Sequence, residues 1–165
     1  MLKEDLINEL QRNNLKFAAK IRSENNIQGS SDIAYAFTIA GMRLLNPKIT
    51  DIQLINSITD NNSDAKFDVI FISKQSRVVE VYAFERKYGI RYDDAELFCN
   101  YIRKYLFNSS QALKGLSNCV QRQIKEARRK IERGYKVRLF MVSGQVCTID
   151  KHKPIIKIFE QLQSE

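Results

Sequence analysis

Histidine, cysteine and tryptophan are scarce in this chain. Its 165 residues contain no tryptophan, one histidine (His152) and three cysteines, Cys99, Cys119 and Cys147. A single histidine excludes zinc sites that need two or more, and an odd number of widely spaced cysteines supports neither a disulfide framework nor a zinc ribbon. We expect reduced thiols in or near the core and His152 on the surface.

Glycine and proline are also few, at six and two residues. Neither G-x-x-x-x-G-K-[ST] nor G-x-G-x-x-G occurs, so no glycine-rich loop is available for a nucleotide phosphate. The G-x-S-x-G turn of many Ser-His-Asp hydrolases is missing too. No apolar run approaches the roughly 20 residues needed to cross a bilayer, and residues 1–5 lack the basic-then-apolar plan of a signal peptide. A cytoplasmic protein with no membrane partner is therefore predicted.

The residues that are present are typical of one globular domain. Apolar residues make up 44% of the chain and charged residues 28%. A chain of this length can bury a substantial core. We expect a single domain over residues 1–165, with an N-terminal helix and loop at 1–30, a core at 31–150 and a C-terminal helix at 151–165.

Positive charge is concentrated in one segment. The formal charge is +8, and residues 121–138 hold eight Lys or Arg against Glu126 and Glu132. Clustered cations gain affinity for nucleic acid by releasing counterions from its phosphates. A solvated helix face in a basic protein gives the same pattern, so charge alone leaves both interpretations open. The outward residues that we expect to contact nucleic acid are Arg122, Lys125, Arg129 and Arg133.

Apolar periodicity predicts helices at both ends of the chain and a small sheet between them. Near-helical spacing indicates a helix over 2–22, broken around Asn13-Asn14, and a buried helix over 33–45 capped by Ser31-Asp32. A capping box at Thr50 opens a short helix. The remaining predicted elements are strands at 67–73 and 77–88, a helix after 89, a helix over 110–133 ended by Gly134, a strand at 136–144, a further strand at 145–149 and a helix over 154–162.

The short connection at 74–76 predicts that the first two strands form an antiparallel hairpin. With helices before, between and after the strands, the fold class is mixed α/β, a small mixed sheet flanked by helices on both sides.

The second strand ends in two opposite charges. Alternation along "VVEVYAFERKYG" places Glu85 and Lys87 on one face, and Asp68 opens the preceding strand. Neighbouring strands can bring these three side chains together at one end of the sheet. Two carboxylates would repel each other unless a cation lay between them, and hard divalent ions prefer oxygen ligands. We therefore expect Asp68 and Glu85 to bind Mg²⁺ or Mn²⁺ and Lys87 to orient water and offset charge on a phosphoryl group.

Asp68 followed by Glu85-Arg86-Lys87 resembles the motif of the PD-(D/E)xK nucleases, whose fold is restriction-endonuclease-like. The resemblance implies a metal-dependent endonuclease with Asp68, Glu85 and Lys87 as catalytic residues. The motif is short and this chain is rich in charge: Asp64-Ala65-Lys66 also satisfies D-x-K.

"SITDNNSDAKFDVIFI" followed by "VVEVYAFERKYG" is similar to the N-terminal region of the abortive-infection phage-resistance family. There a turn with two aspartates leads into the first strand, and the second strand ends in a Q-x-K-Y-like element. Asp64 and Asp68 fall on the two aspartates, and Lys87-Tyr88 on the Lys-Tyr pair. The resemblance spans residues 33–142 and implies a role in antiphage defence.

The departures from that family are also informative. Glu85 stands where the family often has Gln, which brings the sequence nearer to the general nuclease motif. Residues 33–45 contain no glutamate that could serve as a further metal ligand, which puts a two-metal site in doubt. Family members are usually much longer, so the chain corresponds to their nuclease-like part.

Three functions stay open on the sequence. The first is a Mg²⁺-dependent or Mn²⁺-dependent nuclease acting on nucleic acid, with DNA as the preferred substrate. The second is a catalytically silent module of the same fold that binds nucleic acid or a protein partner. The third is a structural interaction domain of a larger complex. Any of the three is compatible with a homodimer.

Overall fold

The structure is a computed structural model that describes residues 3–24, 31–59, 67–86, 89–108, 110–145, 154, 156–157 and 159–162, with backbone alone for 3–11. Several predicted features lie outside these residues. They are Asp64, Lys87-Tyr88, Cys147, His152 and nearly all of the predicted strand at 145–149.

Three strands form a mixed sheet in the order β1-β2-β3. Strand β1 (Val69–Ser73) pairs antiparallel with β2 (Val78–Glu85), and β2 pairs parallel with β3 (Lys136–Ser143). The hairpin and the third strand are as predicted. The helices between β2 and β3 supply the long crossover that a parallel pair requires.

Helices surround this sheet, which confirms the mixed α/β class. They are α1 (Lys3–Glu24), α2 (Asp32–Leu45), α3 (Asp51–Ser57), α4 (Tyr92–Ile102), which continues as a π-helical turn (Arg103–Phe107), and α5 (Asn118–Glu132). The described residues between 154 and 162 are helical as well. The part of the chain that the structure describes has no helix long and apolar enough to span a membrane.

Side-chain caps define where three helices begin. The Ser31 hydroxyl accepts a hydrogen bond from the Ala34 backbone N–H, and Thr50 forms a full capping box with Gln53. Both caps were predicted. The predicted start of α5 at residue 110 was wrong, because Gly115 has φ +97° and Ser117 accepts from the Val120 N–H. These features end a turn and open the helix at Asn118 instead.

The expected break in the first helix is also absent. Helix α1 is continuous through Asn13 and Asn14. Asn14 is buried and accepts a hydrogen bond from Arg43 on α2, so tertiary contact offsets its low helix propensity.

The sheet has a different core on each face. Ile70 pairs with Val81 across β1 and β2, and both pack against α4 and α5. Val69 and its partner Tyr82 pack on the other face, against α1 and α2. A one-residue change of register would exchange these two sets, so the two cores fix the pairing.

Candidate active site

The end of β2 is held in place by aromatic packing. Phe84 lies edge-on to Phe37 of α2, with ring centroids 6.1 Å apart, and is stacked on Tyr82 at 6.0 Å. Gly41 of α2 lies so close that a methyl group there would overlap the Phe84 ring. Because neighbouring side chains on a strand point to opposite faces, Glu85 is directed away from α2.

Strand β3 holds the same end of β2 from the other side. Glu85 pairs with Ser143, and the Glu85 carbonyl accepts a hydrogen bond of 2.8 Å from the Gly144 N–H. Gly144 is buried, and a β-carbon there would lie 2.6 Å from the Arg86 carbonyl oxygen. The strand end that carries Glu85 therefore has little freedom to move.

Asp68 lies at a bend immediately before β1. Its N–H donates to the Tyr82 carbonyl, and its own carbonyl accepts from the Thr59 N–H, both at 2.8 Å. One carboxylate oxygen, Oδ2, accepts from the Phe84 N–H at 2.5 Å. The Asp68 side chain thus serves as the acceptor for the Phe84 N–H, which has no backbone partner among the described residues because β1 leaves the ladder at this point. Phe84 is the residue that precedes Glu85.

Of the three predicted catalytic residues, the structure thus brings Asp68 to the strand end that carries Glu85, while Lys87 is outside the described residues. A carboxylate has about four lone-pair sites, so the bond to Phe84 is compatible with metal coordination. Two carboxylates suit a hard divalent cation that keeps several waters. Within the described part of the chain, no group of three or more His, Cys, Asp or Glu residues could hold a metal.

Arg91 is a neighbour of this site that the sequence patterns did not single out. It donates two hydrogen bonds to Asp94, at 2.7 and 3.0 Å. The pKa of its guanidinium is raised, chiefly by the hydrogen bond with Asp94 and least by the charge of Glu85. The charge of Glu85 therefore acts on the residue that directly precedes α4. The signal in the sequence was a cation two residues after Gly89, directly before a helix start.

The four basic residues predicted to contact nucleic acid are spread along α5 and are not all gathered at the carboxylates. The Gln123 side chain donates to the Asn56 and Ile58 carbonyls, next to the bend at Asp68, so α5 begins near that end of the sheet. The Arg133 carbonyl accepts from Arg77 at the opposite end of the sheet. Helix α5 therefore runs away from the candidate site.

The charges along α5 also differ in their surroundings. Arg129 bonds to Glu126, and this hydrogen bond is the main cause of the lowered pKa of that carboxyl. Arg128 donates to the Tyr105 and Gln111 carbonyls, and partial burial lowers its pKa. Arg122 and Lys125, in contrast, are exposed and have no ion pair with any described residue.

A second cationic surface lies beside β3, where sequence patterns did not predict one. A cavity of about 1260 Å³ contacts consecutive residues 137–140 of β3, the π-helical turn and the C-terminal helical segment. Its charged side chains are Arg103, Lys104 and Arg138, and the described residues that line it include no carboxylate. The exposed ring of Phe107 forms part of its wall. We call this cavity the β3 cavity.

One of these cations has an acidic neighbour outside the lining. Arg138 lies 3.8 Å from Glu80 on β2. Lys104 lies over the ring of Tyr105, 4.9 Å from its centroid, which leaves its charge in place.

Comparison of the chain with protein-family models, with curated proteins and with solved structures gave no match, so its chemistry is assigned from its own residues.

Proposed function

We propose that the protein is a metal-dependent nuclease of the PD-(D/E)xK type that hydrolyses phosphodiester bonds in nucleic acid. The observation that carries the proposal is the hydrogen bond from the Phe84 N–H to Asp68, which brings one acid to the strand end that carries the other, Glu85. The rigid packing around Phe84 and Gly144 further supports a site that must hold its ligands in fixed positions.

The residues fit a hard divalent ion. Asp68 and Glu85 would supply oxygen ligands to Mg²⁺ or Mn²⁺, as the donor chemistry of these ions requires. When bound, such an ion lowers the pKa of a coordinated water and offsets charge on phosphate oxygens. Lys87 would orient the attacking water, and Arg91 would add positive charge near the scissile phosphate.

The β3 cavity supports nucleic acid as the substrate. Its cations would contact phosphates, and the exposed Phe107 ring offers a surface on which a base can stack. Phe140, which also lines the cavity, precedes Ser143, the partner of Glu85, by three residues, or about 10 Å along a strand. A nucleic-acid strand bound in the cavity would therefore lie close to the carboxylates. DNA is the preferred substrate, and an antiphage role follows from the family resemblance.

A second function has one specific observation in its favour. The Asp68 carboxylate already ends the β1–β2 ladder by accepting from Phe84, a structural task that needs no metal. If this structural task is the whole role of Asp68, the protein would be a catalytically silent module that binds nucleic acid, or a protein partner, on the same surfaces.

A cleavage assay with variants that each remove one charge separates the two functions. Purified protein is incubated with circular, linear and single-stranded DNA and with RNA, in Mg²⁺ or Mn²⁺ and with EDTA as the metal-free control. Asp68→Asn keeps an oxygen that can accept from Phe84 while it removes the charge, and Glu85→Gln and Lys87→Ala complete the set. Glu96→Gln, at an exposed position on α4, is the matched control.

The nuclease proposal expects cleavage that requires the metal, is lost in the three site variants and persists in Glu96→Gln. Activity that survives in Asp68→Asn and Glu85→Gln would remove these residues from the site. Salt-sensitive binding without cleavage by the unaltered protein would establish the silent module instead.

A further inference from the structure

A groove on the other edge of the sheet has different chemistry. It is a cavity of about 1010 Å³ between α3, β1 and α5, and we call it the β1 groove. Ile70, Phe71 and Ile72 of β1 all contact it. Consecutive strand residues point to opposite faces, so a cavity that touches all three must lie along the edge of the strand.

The backbone of β1 is available on that edge. The Tyr82 carbonyl accepts from the Asp68 N–H, so it points toward β1. Because backbone groups alternate in direction along a strand, Tyr82 and Glu80 both direct theirs toward β1, where the register pairs them with Val69 and Phe71. Ile72 therefore directs its N–H and C=O away from β2, toward the groove. Within the described residues, the bridge of Ile58 to Val69 covers only the beginning of this edge.

The two walls of the groove differ in charge. On the α5 side are Arg122 and Lys125, which are exposed and have no ion pair among the described residues. On the α3 side is Ile52, an apolar side chain that is 72% exposed. Helix α5 packs with the Ile70 face of the sheet and α3 with the Phe71 face, so the walls lie on opposite sides of β1.

We propose that the β1 groove binds an extended acidic segment of a partner protein as a strand added to β1. The added backbone pairs with the N–H and C=O of Ile72. Alternate side chains of the segment then point to opposite walls, acidic ones to Arg122 and Lys125 and apolar ones to Ile52 and Phe71. The sequence recognised is an alternation of Asp or Glu with apolar residues.

A peptide fits this groove better than a nucleic acid does. A strand edge presents donors and acceptors in alternation, which another peptide backbone matches and a phosphate backbone does not. Glu126 and Glu132 interrupt the cations of the α5 wall, which suits a segment with spaced carboxylates better than a backbone with a phosphate on every nucleotide. The β3 cavity has no such carboxylates in its described lining.

The test is direct binding of synthetic peptides to the full chain without metal, so its result does not depend on nuclease activity. The probe is a fluorescent peptide of about eight residues that alternates Glu and Val. Its controls have the same composition in two blocks, Lys in place of Glu, or N-methyl groups on alternate amides. Binding is followed by anisotropy, and amide hydrogen exchange across residues 69–73 reports where the peptide lies.

We expect the alternating peptide to bind with slowed exchange in β1. Three controls should bind at least about tenfold more weakly, a difference of about 1.4 kcal/mol. They are the peptide with Glu and Val in two blocks, the Lys-substituted peptide, and the N-methylated peptide whose methyl groups fall on the amides that face β1. The double variant Arg122→Ala/Lys125→Ala should lose a similar factor, whereas Arg103→Ala/Lys104→Ala, which changes the β3 cavity, should not.

Three results would overturn the proposal. One is no binding of the alternating peptide up to about 1 mM. Another is undiminished binding of both N-methylated registers or of the peptide with its Glu and Val residues in two blocks, which would show that charge alone attracts them. The third is displacement of the peptide by single-stranded DNA together with loss of DNA binding in the Arg122/Lys125 variant, which would make the groove a nucleic-acid site.

Discussion

The Asp68 carboxylate accepts a hydrogen bond of 2.5 Å from the backbone N–H of Phe84. This bond closes the β1–β2 ladder, and it also fixes the acid beside the residue that precedes Glu85. Structural and chemical roles therefore meet in one side chain, and substitutions that differ in hydrogen bonding and in charge can separate them.

Asp68→Ala should lower the free energy of unfolding by about 1–3 kcal/mol, because the partly buried Phe84 N–H loses its acceptor. Asp68→Asn keeps an acceptor and should cost less than half as much. Urea unfolding measures both values. Equal stability of the alanine variant and the unaltered protein would show that the bond does not support the ladder. A stable but inactive asparagine variant would assign the charge to chemistry.

Gly144→Ala should destabilise the protein by about 1–3 kcal/mol, because the new β-carbon would lie 2.6 Å from the Arg86 carbonyl oxygen, which is backbone and cannot swing away. Gly89→Ala is the matched control, since among the described residues beyond its chain neighbours no atom lies within 4 Å of a β-carbon there. Thermal unfolding of the two variants checks the difference. A Gly144→Ala protein as stable as Gly89→Ala would mean that the β3 and β2 ends are farther apart than described.

The local parts of this fold could be predicted because local chemistry determines them. Ser31 and Thr50 cap their helices through contacts within three residues, and the hairpin follows from two β-rich runs with a short turn. The predicted start of α5 was wrong because the apolar spacing over 110–116 resembled that of a helix. The backbone turns at Gly115, so those residues do not continue into α5.

The candidate site was predictable only in part. Alternation gave the face of Glu85, but the contact of Asp68 with Phe84 depends on a bend that interrupts alternation. The β3 cavity joins Lys104 and Arg138 from segments 34 residues apart, a proximity set by how α4 and β3 pack together. No periodicity along one segment carries that information.

Stability should fall in strong alkali because of Tyr82. Burial raises its pKa above the usual value near 10, and the hydrogen bond that it donates to Glu80 raises it further. Below pH 10 the group is protonated in both states and has no effect on pH dependence. Above pH 10 it ionises only when the chain unfolds, so the unfolded state binds fewer protons and stability falls by up to about 1.4 kcal/mol per pH unit.

Urea unfolding between pH 9 and 11, compared with Tyr82→Phe, measures this contribution. The variant loses the hydroxyl contacts with Glu80 and Asn46 and should be less stable at pH 8, but its stability should change less steeply above pH 10. Identical slopes for the two proteins would show that Tyr82 ionises equally well in the folded state.

Binding of nucleic acid should depend on the β3 cavity more than on α5. The described lining of the β3 cavity holds three cations and no carboxylate, with Glu80 behind it at 3.8 Å from Arg138, whereas Glu126 lies on the α5 face and pairs with both Arg129 and Lys130. We expect Lys104→Ala/Arg138→Ala to weaken single-stranded DNA binding and to reduce the slope of log K against log salt by about 1–2, because up to two phosphate contacts are lost.

The matched comparison is Arg122→Ala/Lys125→Ala, which removes the same charge from α5 and leaves the β3 cavity unchanged. Anisotropy titrations in EDTA at several salt concentrations give the two slopes, and Phe107→Ala tests stacking without a change of charge. Phe107→Ala should weaken binding of single strands while leaving the salt slope intact, since a ring releases no counterions. An equal loss of slope in both double variants would mean that total charge, and not the β3 cavity, determines where the nucleic acid binds.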